Sequence, residues 1–218
     1  MCAPYIAIVL AALGADTPAA AVALPRPLEL TIPLGEALRA RSSARSFDPK
    51  ALVEPAELST LLWAACGITR PDPSHPQGGR RTSPSAFEAY AIDVFVTSQQ
   101  GTFIYSPRDH SLVPHPELGK KDLRSEVPRS DWVKEAPILI LLVARLDRYP
   151  ENVRAERRRD YSHADAAVIG ENIYLAAAGL RLATVLTADA KPEAGATLGL
   201  KDTERVVFIL PVGHAKPK

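Results

Sequence analysis

Residues 41–47 read Arg-Ser-Ser-Ala-Arg-Ser-Phe. Arg41 and Arg45 bring two guanidinium groups, and Ser42, Ser43 and Ser46 bring three hydroxyls, with no carboxylate among them. A guanidinium fork matches the oxygens of a phosphate or carboxylate, so the stretch is equipped to hold an anion, phosphate above all. Taken alone, the same residues also describe a solvated basic loop. Other chemistries lack their residues. There is no Gly-x-Ser-x-Gly elbow for a hydrolase nucleophile. The histidines (His75, His110, His115, His163 and His214) are scattered, and none has a metal-ligating partner at helical spacing. No pair of carboxylates stands out as an acid–base couple. Cys2 and Cys66 can build neither a disulfide framework nor a zinc cluster. Cys66 ends the run Leu61-Leu62-Trp63-Ala64-Ala65-Cys66 and reads as a buried core thiol.

The elements that must position the Arg/Ser stretch can be read around it. Pro33 starts a short helix with Leu34, Ala37 and Leu38 on one face, running into Arg41. Pro55 starts a second helix, with Leu58, Leu61, Leu62 and Ala65 at helical spacing and Gly67 as its stop. Residues 70–85 are rich in Pro, Gly, Ser and Arg and read as a long loop. Ile92 to Thr97 and Thr102 to Tyr105 read as a hairpin about the turn 98–101. Residues 106–130 are polar and broken by prolines, which suggests a loop or a loosely helical lid. Ile138 to Val143 is a solid apolar run, suited to a central strand buried on both faces. Residues 163–180 form the longest helix, with Ile169, Ile173, Ala176, Ala177 and Leu180 on one stripe, widened by Ala164, Ala167, Val168 and Leu175. Val206 to Leu210 is a last buried strand. Helices and strands mix without regular βαβ alternation, so the class is α+β. No Gly-x-Gly-x-x-Gly follows a strand, so a Rossmann dinucleotide fold has no support.

Composition bounds the partners. The 218 residues carry a formal net charge of +1 and are 46% hydrophobic, which fits one domain with a substantial core. Nucleic-acid binding lacks its basic excess. The basic run at 154–159 is interrupted by Glu156 and reads as a solvated helix face. Residues 1–23 differ in kind: Tyr5 to Leu13 is almost wholly apolar and Thr17 to Ala23 is Ala-rich, as in a signal peptide and its cleavage region. No Lys or Arg precedes the apolar run, so a flexible N-terminal segment is the other reading. Export to a periplasmic or extracellular space follows if this segment is cleaved, and a cytoplasmic location otherwise. The apolar run is too short for stable membrane insertion. The domain proper is expected over 24–218.

Several segments then fall in a telling order. Leu24-Pro25-Arg26-Pro27 precedes Gly35 to Phe47, which includes the Arg/Ser stretch. Leu58 to Thr69, Gly79-Arg80-Arg81-Thr82-Ser83-Pro84-Ser85-Ala86, Asp131 to Pro137, Glu171 to Ala177 and Leu210 to His214 follow. Together they resemble the nitroreductase family of FMN-dependent oxidoreductases, and within it the SagB-type branch of azoline-oxidising dehydrogenases. The resemblance implies an α+β sandwich about a mostly antiparallel sheet, and a homodimer with FMN at its interface and a long buried helix packed on its mate. It implies that Arg41 holds the FMN phosphate, assisted by Ser42, Ser43 and Lys216, with Lys218 as a substitute. Arg45 is placed beside N1 and the C2 carbonyl of the ring. Pro84, Ser85 and Ala86 are similar to the loop that reaches the partner's flavin, and Thr184 to Thr187, with Val185 and Leu186 at their centre, to the segment along the ring edge. The implied activity is ping-pong hydride transfer from NAD(P)H to a nitroaromatic or quinone-like acceptor, with no side chain serving as acid or base. The SagB-type look leaves one alternative, a dehydrogenase that oxidises azolines in modified peptides. The sequence departs from the family pattern at Phe87, Glu88, Ser130, Glu171 and Leu186, and the departures at Phe87, Glu88 and Leu186 motivate another, a non-catalytic member that binds flavin or another small ligand.

Overall fold

The computed structural model describes residues 20–48 and 50–216. The body of the expected signal segment, Cys2 and Lys218 lie outside the described residues.

The centre of the fold is an antiparallel seven-stranded sheet. In chain order its strands are β1 (Val22–Ala23), β4 (Ile92–Ser98), β5 (Gly101–Ser106), β6 (Ser111–Pro114), β7 (Ile138–Arg145), β8 (Ala183–Thr184) and β9 (Glu204–Gly213). They lie side by side as β1-β6-β5-β4-β7-β9-β8. Two further strands, β2 (Ile68–Pro71) and β3 (Gly79–Arg81), form a separate hairpin. The helices are α1 (Leu34–Ala40), α2 (Pro55–Cys66), α3 (Asp131–Lys134), α4 (Ala155–Leu180) and α5 (Ala194–Thr197).

Strand β7 shows why the sheet is central. Its alternate residues Ile138, Ile140, Leu142 and Ala144 face one core, and Leu139, Leu141 and Val143 face the other. A strand covered on both faces must be apolar at both parities. The first core holds α2 and α4 against the sheet. The second holds Phe47, Leu123, Val127, Val133 and Leu198.

Several expectations need correction. The loop over 70–85 contains most of the β2–β3 hairpin, and the loop over 106–130 contains β6. The sheet begins at Val22, two residues ahead of the expected domain start, because Val22 and Ala23 pair with Leu112 and Ser111. The long helix starts at Ala155, eight residues before the apolar periodicity does. Its first turns are polar and Arg158 ties them down, donating to the carbonyls of Val153, Pro150 and Glu151.

The helix is not buried all round, and its stripes divide differently from expectation. Ile169, Ile173, Ala176 and Ala177 are spent on the chain's own core. Ala164, Ala167, Val168 and Glu171 are exposed, with Leu175 half-buried, and make a second stripe at helical spacing. Gly67 does end α2, but with an extended backbone rather than a left-handed one. Glycine is needed there because a Cβ would collide with Trp63.

Candidate functional site

The Arg/Ser stretch leaves α1 in an extended path. Arg41 caps the helix, its N–H donating to Ala37 O at 2.9 Å. The chain is then strapped to the sheet edge. Ala44 N–H donates to Thr184 O at 2.9 Å, Phe47 bridges to Ala215, and Asp48 N–H donates to His214 O at 2.8 Å. Phe47 is fully buried and anchors the stretch in the second core. Gly213 makes room for it, since a Cβ there would lie 2.7 Å from Pro137 and 3.3 Å from the Phe47 ring.

The end of α4 brings residues 184–187 to the same place. Leu182 N–H donates to Ala177 O and Arg181 N–H to Ala178 O, a Schellman closure with Arg181 left-handed at φ 58°. The chain then enters β8 beside Val212 and Gly213.

Tyr174 joins these segments. Its buried hydroxyl accepts from Leu186 N–H at 2.8 Å and shares a hydrogen bond with Ser43 Oγ at 2.9 Å. The Arg41 guanidinium stands over its ring, 5.2 Å from the centroid. Arg45 stands 5.8 Å from the Trp132 ring. Among the described residues neither arginine has a carboxylate within ion-pair distance. Ser42, Ser43 and Arg45 are exposed and Arg41 half-buried. Beside them the Thr184 hydroxyl is buried without a partner, an orphan that a native site is expected to satisfy.

The structure therefore brings Arg41, Ser42, Ser43 and Arg45 together with Val185 and Leu186. The Val185 side chain is buried, and Leu186 is seated over Gly170 of α4, where a Cβ would lie 2.8 Å from Leu186 Cδ1. Lys216 lies on the same terminal segment as Ala215, with its Nζ 3.2 Å from Glu135.

Pro84, Ser85 and Ala86 are held elsewhere in the chain. Ser85 Oγ donates to Asp165 at 2.6 Å, Ala86 N–H donates to the other Asp165 oxygen at 3.2 Å, and Tyr149 adds a third hydrogen bond at 3.2 Å. Burial, and then Asp165 beside it, push the Tyr149 hydroxyl above its usual pKa. Asp165 lies nine residues before Tyr174 on α4, about 14 Å along the axis. After Ala86 the backbone is strained: Phe87, Glu88 and Tyr90 have φ of 59°, 51° and 43°. Glu88 turns to its own chain, 3.1 Å from Arg80 and 3.4 Å from His75. Ser130 is occupied too, its hydroxyl donating to Asp189 at 2.9 Å. Cys66 is a structural thiol, pushed up to about 11 by burial.

Sequence reasoning missed Tyr174 and Asp165. A tyrosine within an otherwise apolar helical stripe was the available signal for the first, since its hydroxyl needs a partner once buried. Nothing in the sequence distinguished Asp165 from a solvated helical carboxylate.

Comparison with known proteins matches residues 38–214 to the model of the nitroreductase family. The chain belongs to the nitroreductase family. It is 30% identical over 162 residues to a protein of Methanocaldococcus jannaschii named as a nitroreductase, covering 71% of this chain and 77% of that one. A crystal structure titled as a nitroreductase from Ralstonia eutropha superposes with a TM-score of 0.79 at 31% identity, over 95% of this chain and 94% of that one. A third structure, titled as a nitroreductase in complex with FMN from Desulfovibrio desulfuricans, shares the fold at 16% identity and a TM-score of 0.58, over 85% and 88% of the two chains. The chain is thus an oxidoreductase-type nitroreductase fold. Among the described residues no cluster could hold a metal ion, and no helix is long and apolar enough to cross a membrane.

Proposed function

We propose that the chain is an FMN-dependent oxidoreductase that works as a homodimer, taking a hydride from NAD(P)H and passing it to a conjugated acceptor such as a nitroaromatic or a quinone. One observation carries the reading: two guanidiniums without carboxylate partners among the described residues, exposed serines and an orphaned buried Thr184 hydroxyl converge on one sheet edge. That donor set fits a phosphorylated cofactor with a hydrogen-bonding ring. A related structure described as an FMN complex supports the choice of cofactor.

Bound FMN supplies the hydride chemistry, so the protein's part is binding, orientation and electrostatics. Arg41 holds the phosphate, with Ser42 and Ser43 as further donors and Lys216 able to leave Glu135 for it. Arg45 sets a cation beside the ring, which favours its reduction. Tyr174 fixes Ser43 and the Leu186 backbone in register.

The dimer reading rests on apolar surface. Leu34 and Leu38 of α1 are 67% and 53% exposed, and Trp63 and, on α4, Val168 are exposed too. A groove of about 450 Å³ runs between Leu30, Leu34, Trp63 and Leu175. Contiguous apolar surface of this kind marks an interface. The second stripe of α4 would meet its mate there, and Pro84 to Ala86 would then complete the partner's site.

The test is the visible spectrum of the purified protein before and after anaerobic NADH or NADPH. Flavin bands that bleach on addition support the reading. Flavin that stays oxidised points to a dehydrogenase fed by its own substrate. Protein that takes up no FMN on reconstitution overturns the reading and leaves a binding module.

A further inference from the structure

A second arginine-rich site lies away from the Arg41 stretch. A cavity of about 290 Å³ opens where β4 starts and β5 ends, beside the β2–β3 hairpin. Its lining includes Arg81, Arg108, Arg148, Asp93, Tyr105 and Cys66. The charges do not balance. Asp93, the one carboxylate in the lining, is spent on Arg148 at 2.7 Å and on Arg145 at 3.1 Å. Among the described residues Arg108 donates only to Pro76 O, at 3.2 Å. Arg81 stands 4.8 Å from the Tyr90 ring centroid and reaches Gln77 at a long 3.4 Å. Among the described residues neither Arg81 nor Arg108 has a carboxylate within ion-pair distance. The Arg81 Nε is buried with no acceptor.

Arg81 is half-buried, with its Nε N–H lacking an acceptor and its charge lacking a counter-charge among the described residues, and a group left so is costly. Nothing else in the lining supplies the charge. Burial pushes both Cys66 and Tyr105 above their usual pKa, so both stay neutral near pH 7. A void of about 10 Å³ between Arg81, Ser85 and Asp165 has room for one water. A water there could satisfy the Arg81 N–H but not its charge.

We propose that this cavity binds a small oxyanion, a phosphate or a carboxylate group, between Arg81 and Arg108, with Arg148 adding to the field. Two guanidiniums facing one cavity match such a group with charge-assisted hydrogen bonds. The site also touches the loop after Ser85. Arg81 covers the Tyr90 ring, and Tyr90 N–H donates to Ser85 Oγ at 2.9 Å. Occupancy would therefore stiffen the segment from Ser85 to Tyr90.

The experiment is thermal unfolding with increasing inorganic phosphate, and separately acetate, at ionic strength held constant with chloride. It is run on the wild type and on Arg41→Ala, Arg108→Gln and Arg81→Gln. The expected result is a saturable rise in Tm in the wild type and in Arg41→Ala, with the apparent affinity about tenfold weaker in Arg108→Gln. Arg108 is exposed, so this variant keeps the test valid should Arg81→Gln fold poorly. A response to phosphate alone, or to acetate alone, identifies which oxyanion the site takes. No saturable rise with either anion would overturn the proposal. So would a rise that survives Arg108→Gln unweakened, or one abolished by Arg41→Ala, which would assign the anion to the Arg41 stretch instead.

Discussion

The two segments proposed for the flavin site are built in opposite ways. The stretch from Arg41 to Arg45 has its backbone placed by others: Ala44 hangs on β8, and Tyr174 holds Ser43. Its guanidiniums stand over aromatic rings and have no carboxylate partner among the described residues. The segment from Pro84 to Tyr90 spends its polar groups on holding its own shape. Ser85 and Ala86 are both bound to Asp165, which is only 7% exposed, and Glu88 is bound to Arg80 and His75. Three of the five non-glycine residues with positive φ among the described residues lie in this segment. The first region offers charge on a relaxed backbone. The second offers shape on a strained one.

Removing the anchor of the strained region should have the largest effect. Asp165→Ala leaves the Ser85 hydroxyl, the Ala86 N–H and the Tyr149 hydroxyl without their acceptor. Bonds to a buried charge are the strong ones, so the loss should be about 3 kcal/mol in urea unfolding. Asp165→Asn keeps the shape and should recover about half of it. Proteolysis should then start within 84–90. A cost for Asp165→Ala below about 1 kcal/mol would mean the segment is held by something else.

The relaxed region should answer in binding rather than in stability. Arg41→Ala should weaken FMN affinity by roughly 10- to 100-fold, the worth of one charge-assisted contact, with little change in unfolding. Arg45→Ala should instead spare affinity and lower the flavin reduction potential. An unchanged potential would remove Arg45 from the ring.

How far each region could be read from sequence follows the same division. Arg41, Ser43 and Arg45 stand out in the sequence by residue type, as a donor cluster without acids, although the same residues taken alone also describe a solvated loop and only their place in the ordered family resemblance favours a phosphate. Strands β4 and β7 were legible because their apolar or alternating runs are long, and β5 because the turn at 98–101 sets it opposite β4. The β2–β3 hairpin and β6 were not, because Gly79-Arg80-Arg81 and Ser111 to Pro114 carry the residues of loops and pair only through tertiary context. Asp165 and Tyr174 were hidden because their meaning lies in what the fold sets beside them. Tyr174→Phe tests this directly. It keeps the ring under Arg41 but strands Leu186 N–H and frees Ser43, so it should cost about 1 kcal/mol and weaken FMN severalfold. Wild-type stability and affinity in this variant would reduce Tyr174 to packing.

The smallest expected effect goes the other way. Phe87 adopts φ 59° and ψ 18° while its side chain is 59% exposed, so burial returns little for a left-handed backbone. Its ring meets Tyr161 edge-on at 5.5 Å, a contact too modest to offset the strain by itself. A left-handed residue with a Cβ costs roughly 1–2 kcal/mol, and glycine removes that cost while losing about 0.5–1 kcal/mol to chain entropy. Phe87→Gly should therefore stabilise the protein by about 0.5 kcal/mol, whereas Phe87→Ala, which keeps the Cβ, should not stabilise it at all. A gain for glycine alone would locate the strain in the backbone and imply that the ring is kept for what it meets in the assembled site. Equal losses for both variants would mean that the contact with Tyr161 outweighs the backbone, and the contrast between a relaxed and a strained region would then fail at this residue.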